Sequence, residues 1–249
     1  NKEAMVLAAQ KIEELHPDFI DINWGCPMKK IAGKGSGSGI LNDIPKMIDI
    51  TKAIVNSVHL PVSVKTRIGY DDKSKPIVEI AERLQDVGIE LLTIHGRTKM
   101  QMYKGEAEWS LIGKIKENPR ITIPIFGNGD INSAQKMMEY KNRYNVDGIL
   151  IGRAAVGNPF IFQQCKEILN GKDISTPSLE EKITICKQHL TSLSKDMGEE
   201  RAIILMKKFY SRYFLCVKDL KAYKMRLMEA KTMEEVFEIL DSFFKENIS

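Results

Sequence analysis

Residues 18–40 read DFIDINWGCPMKKIAGKGSGSGI. Phe19, Ile20 and Ile22, set among Asp18 and Asp21, predict a buried strand. Asn23, Trp24, Gly25, Cys26 and Pro27 end it abruptly. A basic, glycine-rich run follows, through Lys29, Lys30, Gly33, Lys34, Gly35, Gly37 and Gly39. A cysteine just beyond the C-terminal end of a strand, in a turn fixed by glycine and proline, is where an α/β enzyme places a reactive thiol. Most lone cysteines are small buried hydrophobes, so the rest of the chain must decide. The glycine run lacks the spacing of a dinucleotide fingerprint and the Lys-Ser/Thr ending of a P-loop. It is read as a flexible basic lid.

On either side of this stretch the chain alternates between two periodicities. Residues 1–15 carry Met5, Leu7, Ala8, Ile12 and Leu15 at helical spacing, and 43–58 carry Ile44, Met47, Ile50 and Ile54. Strands are predicted at 61–67, 91–97, 123–130 and 146–153. Helices lie between them, at 75–87 (closed by Gly88), at 110–117, and from Asn132 or Ser133 with Gln135 completing a capping-box-like turn. Strands alternating with helices predict parallel βα units. A last helix runs to about Leu169, and residues 171–177 read as a linker. Ser178 and Glu181 then form a capping box, and everything afterwards is helical. The expected organisation is an α/β domain over 1–174 and a small all-α domain over 175–249.

Composition narrows the class. The chain has 249 residues, is 43% hydrophobic and has a net charge of +4. No apolar run approaches the roughly 20 residues of a membrane span. Cys26, Cys165, Cys186 and Cys216 are scattered without CxxC spacing, which points to neither zinc nor disulfides and fits a reducing cytoplasm. Eight Lys or Arg against one acid, Asp219, give Arg201–Arg226 a local +7. Charge so concentrated predicts a polyanion partner.

The polar residues fall at strand ends: Asn23 with Cys26, Lys65 with Arg67, His95 with Arg97, Asn128 with Asp130, and Gly152 with Arg153. Parallel strands end on one side of a sheet, so five separate stretches aim polar groups at the face where (β/α) barrels carry their sites. Gly152-Arg153 offers a free backbone N–H and a guanidinium to a phosphate. Asn128, Gly129 and Asp130 add backbone and side-chain groups, and Lys65 adds a cation for a reduced ring. A phosphorylated planar cofactor such as flavin mononucleotide (FMN) satisfies all three. The plainer readings are an ion pair between Lys65 and Asp21, and a tight turn at Gly127 and Gly129.

INWGCPMKKIAGKGSGSGIL, VSVKTRIGY, LTIHGRT, IFGNGDI and GILIGRAAVGNPFIF, in this order and spacing, resemble the tRNA-dihydrouridine synthase family, its bacterial B-type branch most of all. The resemblance covers nearly the whole chain. It implies a (β/α)8 TIM barrel followed by a helical domain, which reduces uridines of tRNA to 5,6-dihydrouridine with FMN as cofactor and NADPH as reductant. Hydride goes from reduced flavin to C6 and a proton from Cys26 to C5. Lys65, His95, Asn128, Gly129, Asp130, Gly152 and Arg153 are the implied cofactor contacts. Asn23, Lys29, Arg67, Arg97, Lys207, Lys208 and Arg212 are the expected substrate contacts, with Lys218, Lys221, Lys224 and Arg226 as further phosphate partners and Tyr210, Tyr213 or Tyr223 as stacking or hydrogen-bonding partners. No metal and no membrane are expected, and the protein is expected to be a monomer. Family members begin with about three more βα units, with an early flavin-binding loop and a later glutamine. This sequence shows about five strands, and the expectation is an N-terminally truncated barrel. The alternatives are an FMN-dependent barrel oxidoreductase of a small pyrimidine, which needs no basic tail, and a non-catalytic RNA-binding protein.

Overall fold

The computed structural model describes residues 1–215, 217 and 220–247. The chain divides into two compact units, Asn1–Gly152 and Arg153–Ser249.

The first unit has five strands alternating with helices. In order these are α1 (Lys2–Glu13), β1 (Ile20–Asn23), α2 (Lys29–Ala32), α3 (Ile44–Val55), β2 (Val62–Arg67), α4 (Ile77–Asp86), β3 (Leu91–His95), α5 (Ser110–Glu117), β4 (Ile125–Asn128), α6 (Ala134–Tyr144) and β5 (Gly148–Leu150). The strands pair in sequence order, all parallel. Consecutive parallel strands joined by helices are the build of a (β/α)8 barrel, the expected α/β class.

Register sorts the strand residues into two faces. Val64, Leu92 and Ile125 lie side by side and are fully buried. Ile77, Ile80, Ala81 and Leu84 of α4 are also fully buried. Each such isoleucine or leucine contributes roughly 1.5–3 kcal/mol over an exposed one. The opposite face begins with the row Asn23, Lys65, Thr93, Phe126, and one step further the row Arg67, His95, Asn128, Leu150. The alternation of the strand pleat therefore puts the charged residues and His95 and Asn128 on the face opposite Val64, Leu92 and Ile125, together with Phe126 and Leu150.

Helix ends follow their caps. Asp43 accepts from the Lys46 N–H at the start of α3, and Gly88 leaves α4 with φ +95°. Ser133 caps α6 by accepting from the Lys136 N–H, which makes Lys136, not Gln135, the third helical residue, so the anticipated capping-box-like turn is absent. Phe19 is exposed and precedes the strand, whose ladder starts with Ile20 donating to the Pro61 carbonyl. Of the α1 stripe, Leu7, Ile12 and Leu15 are exposed.

The glycine-rich run is also different from its expectation. Gly37–Asn42 forms a 3-10 turn in which Gly37, Ser38, Gly39, Ile40 and Leu41 are buried. It is a packed turn rather than a flexible lid, and Lys29, Lys30 and Lys34 before it are exposed.

The second unit contains α7 (Phe160–Leu169), α8 (Leu179–Met197), α9 (Glu199–Met206), α10 (Tyr210–Tyr213), α11 (Leu220–Glu229) and α12 (Met233–Asn247). By packing, α7 groups with these later helices. The capping box of Ser178 and Glu181 starts α8. Ile183, Cys186, Leu190, Ile203, Met206, Val236, Ile239, Leu240 and Phe243 form the core of the bundle. Ile204, read as part of that stripe, is 62% exposed. Among the described residues no helix is long and apolar enough to cross a membrane, and no group of three or more His, Cys, Asp or Glu could hold a metal.

Candidate active site at the strand ends

The loop after β1 has no regular structure, yet each of its first three residues is held. Trp24 is buried, and its indole N–H donates to Thr51 Oγ1 of α3 at 3.1 Å. The Gly25 carbonyl accepts from Arg67 Nε at 2.9 Å. The Cys26 carbonyl accepts from both the N–H and the Oγ of Ser38, at 3.0 and 2.9 Å. Cys26 is a free, half-buried thiol. Asn23 is exposed at the strand end, its Oδ1 accepting from the Gly25 N–H at 2.9 Å.

Lys65 lies beside Asn23 in register, and its Nζ comes close to Gly25, 3.7 Å from where a Cβ there would stand. Its Nζ makes no hydrogen bond or ion pair with a described residue. Burial holds Lys65 below the usual lysine range, Arg67 adds repulsion, and Asp21 opposes both. Asp21 is the acceptor of the Ser63 hydroxyl at 2.7 Å, not the ion-pair partner of Lys65.

Arg67 and Arg97 are each 2% exposed. Arg67 donates to the carbonyls of Gly25, Thr98 and Met102, and burial pushes its pKa down to about 10. Arg97 donates to the carbonyls of Lys104 and Gly105 and pairs with Asp130 at 2.7 Å. Both were expected to contact substrate. In the fold Arg67 is held by backbone carbonyls and Arg97 by backbone carbonyls and Asp130, which ties the loop at 98–105 to the strand ends. Asp130, with φ +56°, also accepts from the Ala107 N–H.

His95 is 7% exposed, and its Nε2 lies 3.4 Å from Arg97 Nη1. Guanidinium can only donate, so Nε2 is the acceptor and the proton sits on Nδ1. Burial first, then Arg67, Lys65 and Arg97, push its pKa down to about 3, against a smaller opposing pull from Asp130. His95 is neutral near pH 7.

Asn128 donates to the Leu150 carbonyl at 2.7 Å. Gly129, at φ +126°, is wedged so that a Cβ would stand 2.6 Å from Ala107 Cβ and 3.0 Å from the His95 ring. A Cβ on Gly152 would meet nothing within 4 Å. Register and chain order thus gather Asn23, Cys26, Lys65, Arg67, His95, Asn128, Gly129, Asp130 and Gly152 at one edge of the sheet, with Lys29 exposed on α2 beyond the cysteine loop. Arg153 opens the second unit, where its carbonyl accepts from Arg212.

In that unit Lys208, Arg212, Lys221, Lys224 and Arg226 are exposed, whereas Lys207 donates to the Met228 carbonyl. Tyr210, Tyr213 and Tyr223 are at most 6% exposed, packed in the bundle core, and do not face solvent as stacking platforms. Tyr213 instead bonds His189 at 3.0 Å. Lys218, Cys216 and Asp219 lie outside the described residues. Ser38 and Thr51 went unremarked in the sequence. For Ser38 a signal existed, a serine between two glycines.

A model of dihydrouridine synthases matches residues 1–249. This chain belongs to the dihydrouridine synthase family. Within it, the chain is similar to tRNA-dihydrouridine synthase B of Pseudomonas putida, 35% identical over 98% of this chain and 72% of that protein. It is similarly close to the probable tRNA-dihydrouridine synthase 1 of Synechocystis sp., 36% identical over 95% of this chain and 66% of the relative. A solved structure, the putative dihydrodipicolinate synthetase from Pseudomonas aeruginosa, shares the fold alone, with a TM-score of 0.50 at 10% identity over 98% of this chain and 93% of that one.

Proposed function

We propose that the protein is a tRNA-dihydrouridine synthase, reducing uridines of tRNA to 5,6-dihydrouridine as a monomer in the cytoplasm. The observation that carries this reading is a free thiol on a pinned loop, beside a half-buried lysine with no hydrogen-bond or ion-pair partner among the described residues, in a chain of this family.

A bound FMN fits the strand ends. The Lys65 ammonium, without a partner among the described residues, suits an anionic ring edge, the open space over Gly152 suits a phosphate, and Asn128, Gly129, Asp130 and His95 complete the holding set at the strand ends. When bound and reduced by NADPH, FMN supplies the hydride.

The chain's own residues supply the proton and the order. Uracil reduction adds hydride at C6 and a proton at C5. The Cys26 S–H bond breaks, its proton goes to C5, and the thiolate is reprotonated from water. His95 cannot compete as the acid, because it is neutral and its Nε2 is already an acceptor. Asn23 and Lys29 flank the thiol on its loop. The target uridine must first leave its stack, at a cost of a few kcal/mol. Phosphate contacts from Lys208, Arg212, Lys221, Lys224 and Arg226 offset that cost.

The test is Cys26→Ala in the full-length protein. A positioned general acid contributes about 10²–10⁴-fold, so turnover should fall by about that factor with flavin content unchanged. Full turnover, or a protein that no longer retains flavin, would contradict the assignment.

A further inference from the structure

The buried turn Gly37-Ser38-Gly39 has no part in the chemistry above, yet it is built against the working cysteine. Cys26 lies in an irregular loop, so its backbone groups must find partners outside any ladder or helix. The peptide plane before its Cα is gripped through the Gly25 carbonyl by Arg67 Nε at 2.9 Å. The plane after it is gripped through the Cys26 carbonyl by Ser38, which donates both its N–H at 3.0 Å and its Oγ at 2.9 Å. The residue after Cys26 is Pro27, which has no N–H to give and restricts Cys26 to extended backbone. With both planes fixed, the Cα–Cβ direction is fixed, and only rotation about χ1 is left to the thiol.

The two glycines are what allow Ser38 so close. Gly37 has φ +51°, and a Cβ on it would stand 2.8 Å from the Cys26 carbonyl oxygen and 3.1 Å from Cys26 Cβ. A Cβ on Gly39 would stand 2.1 Å from the Ala32 carbonyl oxygen. Ser38 itself is completely buried, and its hydroxyl hydrogen bond goes to the Cys26 carbonyl. A residue that merely filled space there would need no hydroxyl.

We infer that Ser38 is a positioning residue for Cys26, the hydroxyl of a Gly-Ser-Gly clasp that aims the thiol without touching substrate. The inference rests on the reading of Cys26 as proton donor.

The test is a double-mutant cycle in the full-length protein, with Ser38→Ala, Cys26→Ala and the double variant. In Ser38→Ala the carbonyl keeps its bond from the residue 38 N–H, so no acceptor is stranded and the fold persists. Losing one neutral hydrogen bond shifts an equilibrium by a factor of about 2 to 10. We expect kcat to fall by about that factor or more, since misplacement at a reacting centre is amplified. KM for tRNA and flavin content should stay unchanged, and the Ser38→Ala effect should vanish in the Cys26→Ala background. Peptide-resolved alkylation of Cys26 by iodoacetamide, without tRNA, should quicken by up to the same factor of about 2 to 10 as the loop opens. Additive effects on kcat, a change in KM alone, or unchanged alkylation would each overturn the inference. If Cys26→Ala leaves turnover intact, the proton-donor reading fails by itself, and the alkylation rate still decides whether Ser38 holds the thiol.

Discussion

Replacing Arg67 by methionine separates a residue that binds substrate from one that holds the site together. The guanidinium donates to two buried bonds, at Gly25 and Thr98, and to a part-buried one at Met102. A stranded buried acceptor costs about 1–3 kcal/mol, so the two buried carbonyls losing their donor together cost about 2–6 kcal/mol. Against this stands the penalty of keeping the charge buried. The pKa of Arg67 falls from 12.5 to about 10, chiefly by burial. At 1.36 kcal/mol per unit that is about 3 kcal/mol returned when the charge is removed. The net expected destabilisation of Arg67→Met is therefore at most about 3 kcal/mol, small enough for the variant to fold. Its functional cost should be larger than its stability cost. The Gly25 carbonyl belongs to the peptide that precedes Cys26, and misplacement there is worth up to about 10²-fold in turnover. Urea unfolding would measure the first quantity, and steady-state kinetics on unmodified tRNA the second. The account requires kcat to fall with KM nearly unchanged. A variant with full stability and full kcat, but KM raised more than tenfold, would show that Arg67 contacts tRNA and would refute the reasoning.

Three further outcomes follow from the same geometry. His95 is held at about 3, against an ordinary 6.5. As pH falls, the unfolded chain therefore takes up this proton first: the stability is complete above about pH 6.5 and is lost progressively toward pH 3. At pH 5.5 the loss is about 1.4 kcal/mol, so between pH 7.5 and 5.5 the protein should lose that much more than His95→Asn does, by urea midpoint. Gly152→Ala meets empty space in the chain. It should leave the melting temperature unchanged while lowering retained flavin, and full flavin retention would remove the phosphate from that position. Lys208→Ala with Lys224→Ala, both residues exposed, should weaken tRNA binding and reduce the salt dependence of log affinity by about two. An unchanged slope would place the tRNA elsewhere.

The strand ends were legible because they follow from two periodicities alone. Once 18–23, 61–67, 91–97, 123–130 and 146–153 read as parallel strands, Asn23, Lys65, His95 and Asn128 had to share an edge. What the sequence hides is the partner. Arg67 and Arg97 display their charge in the sequence, but the carbonyls that claim it come from Gly25, Thr98, Met102, Lys104 and Gly105, fixed only by the folded loops. Gly37 and Gly39 read as freedom, whereas each is demanded by a backbone that a Cβ would strike. Tyr210, Tyr213 and Tyr223 sit at helical spacings that serve a core or a surface equally, and the bundle buries them. The position of α6's cap turned on one residue, within the usual play of helix boundaries.

The visible absorption spectrum of the purified full-length protein, taken before and after NADPH and again after unmodified tRNA, tests the central claim most directly. The account predicts flavin bands that bleach with NADPH and return with tRNA, in step with loss of uridine. A colourless protein, or a flavin that bleaches and stays bleached when tRNA is added under exclusion of oxygen, would contradict it.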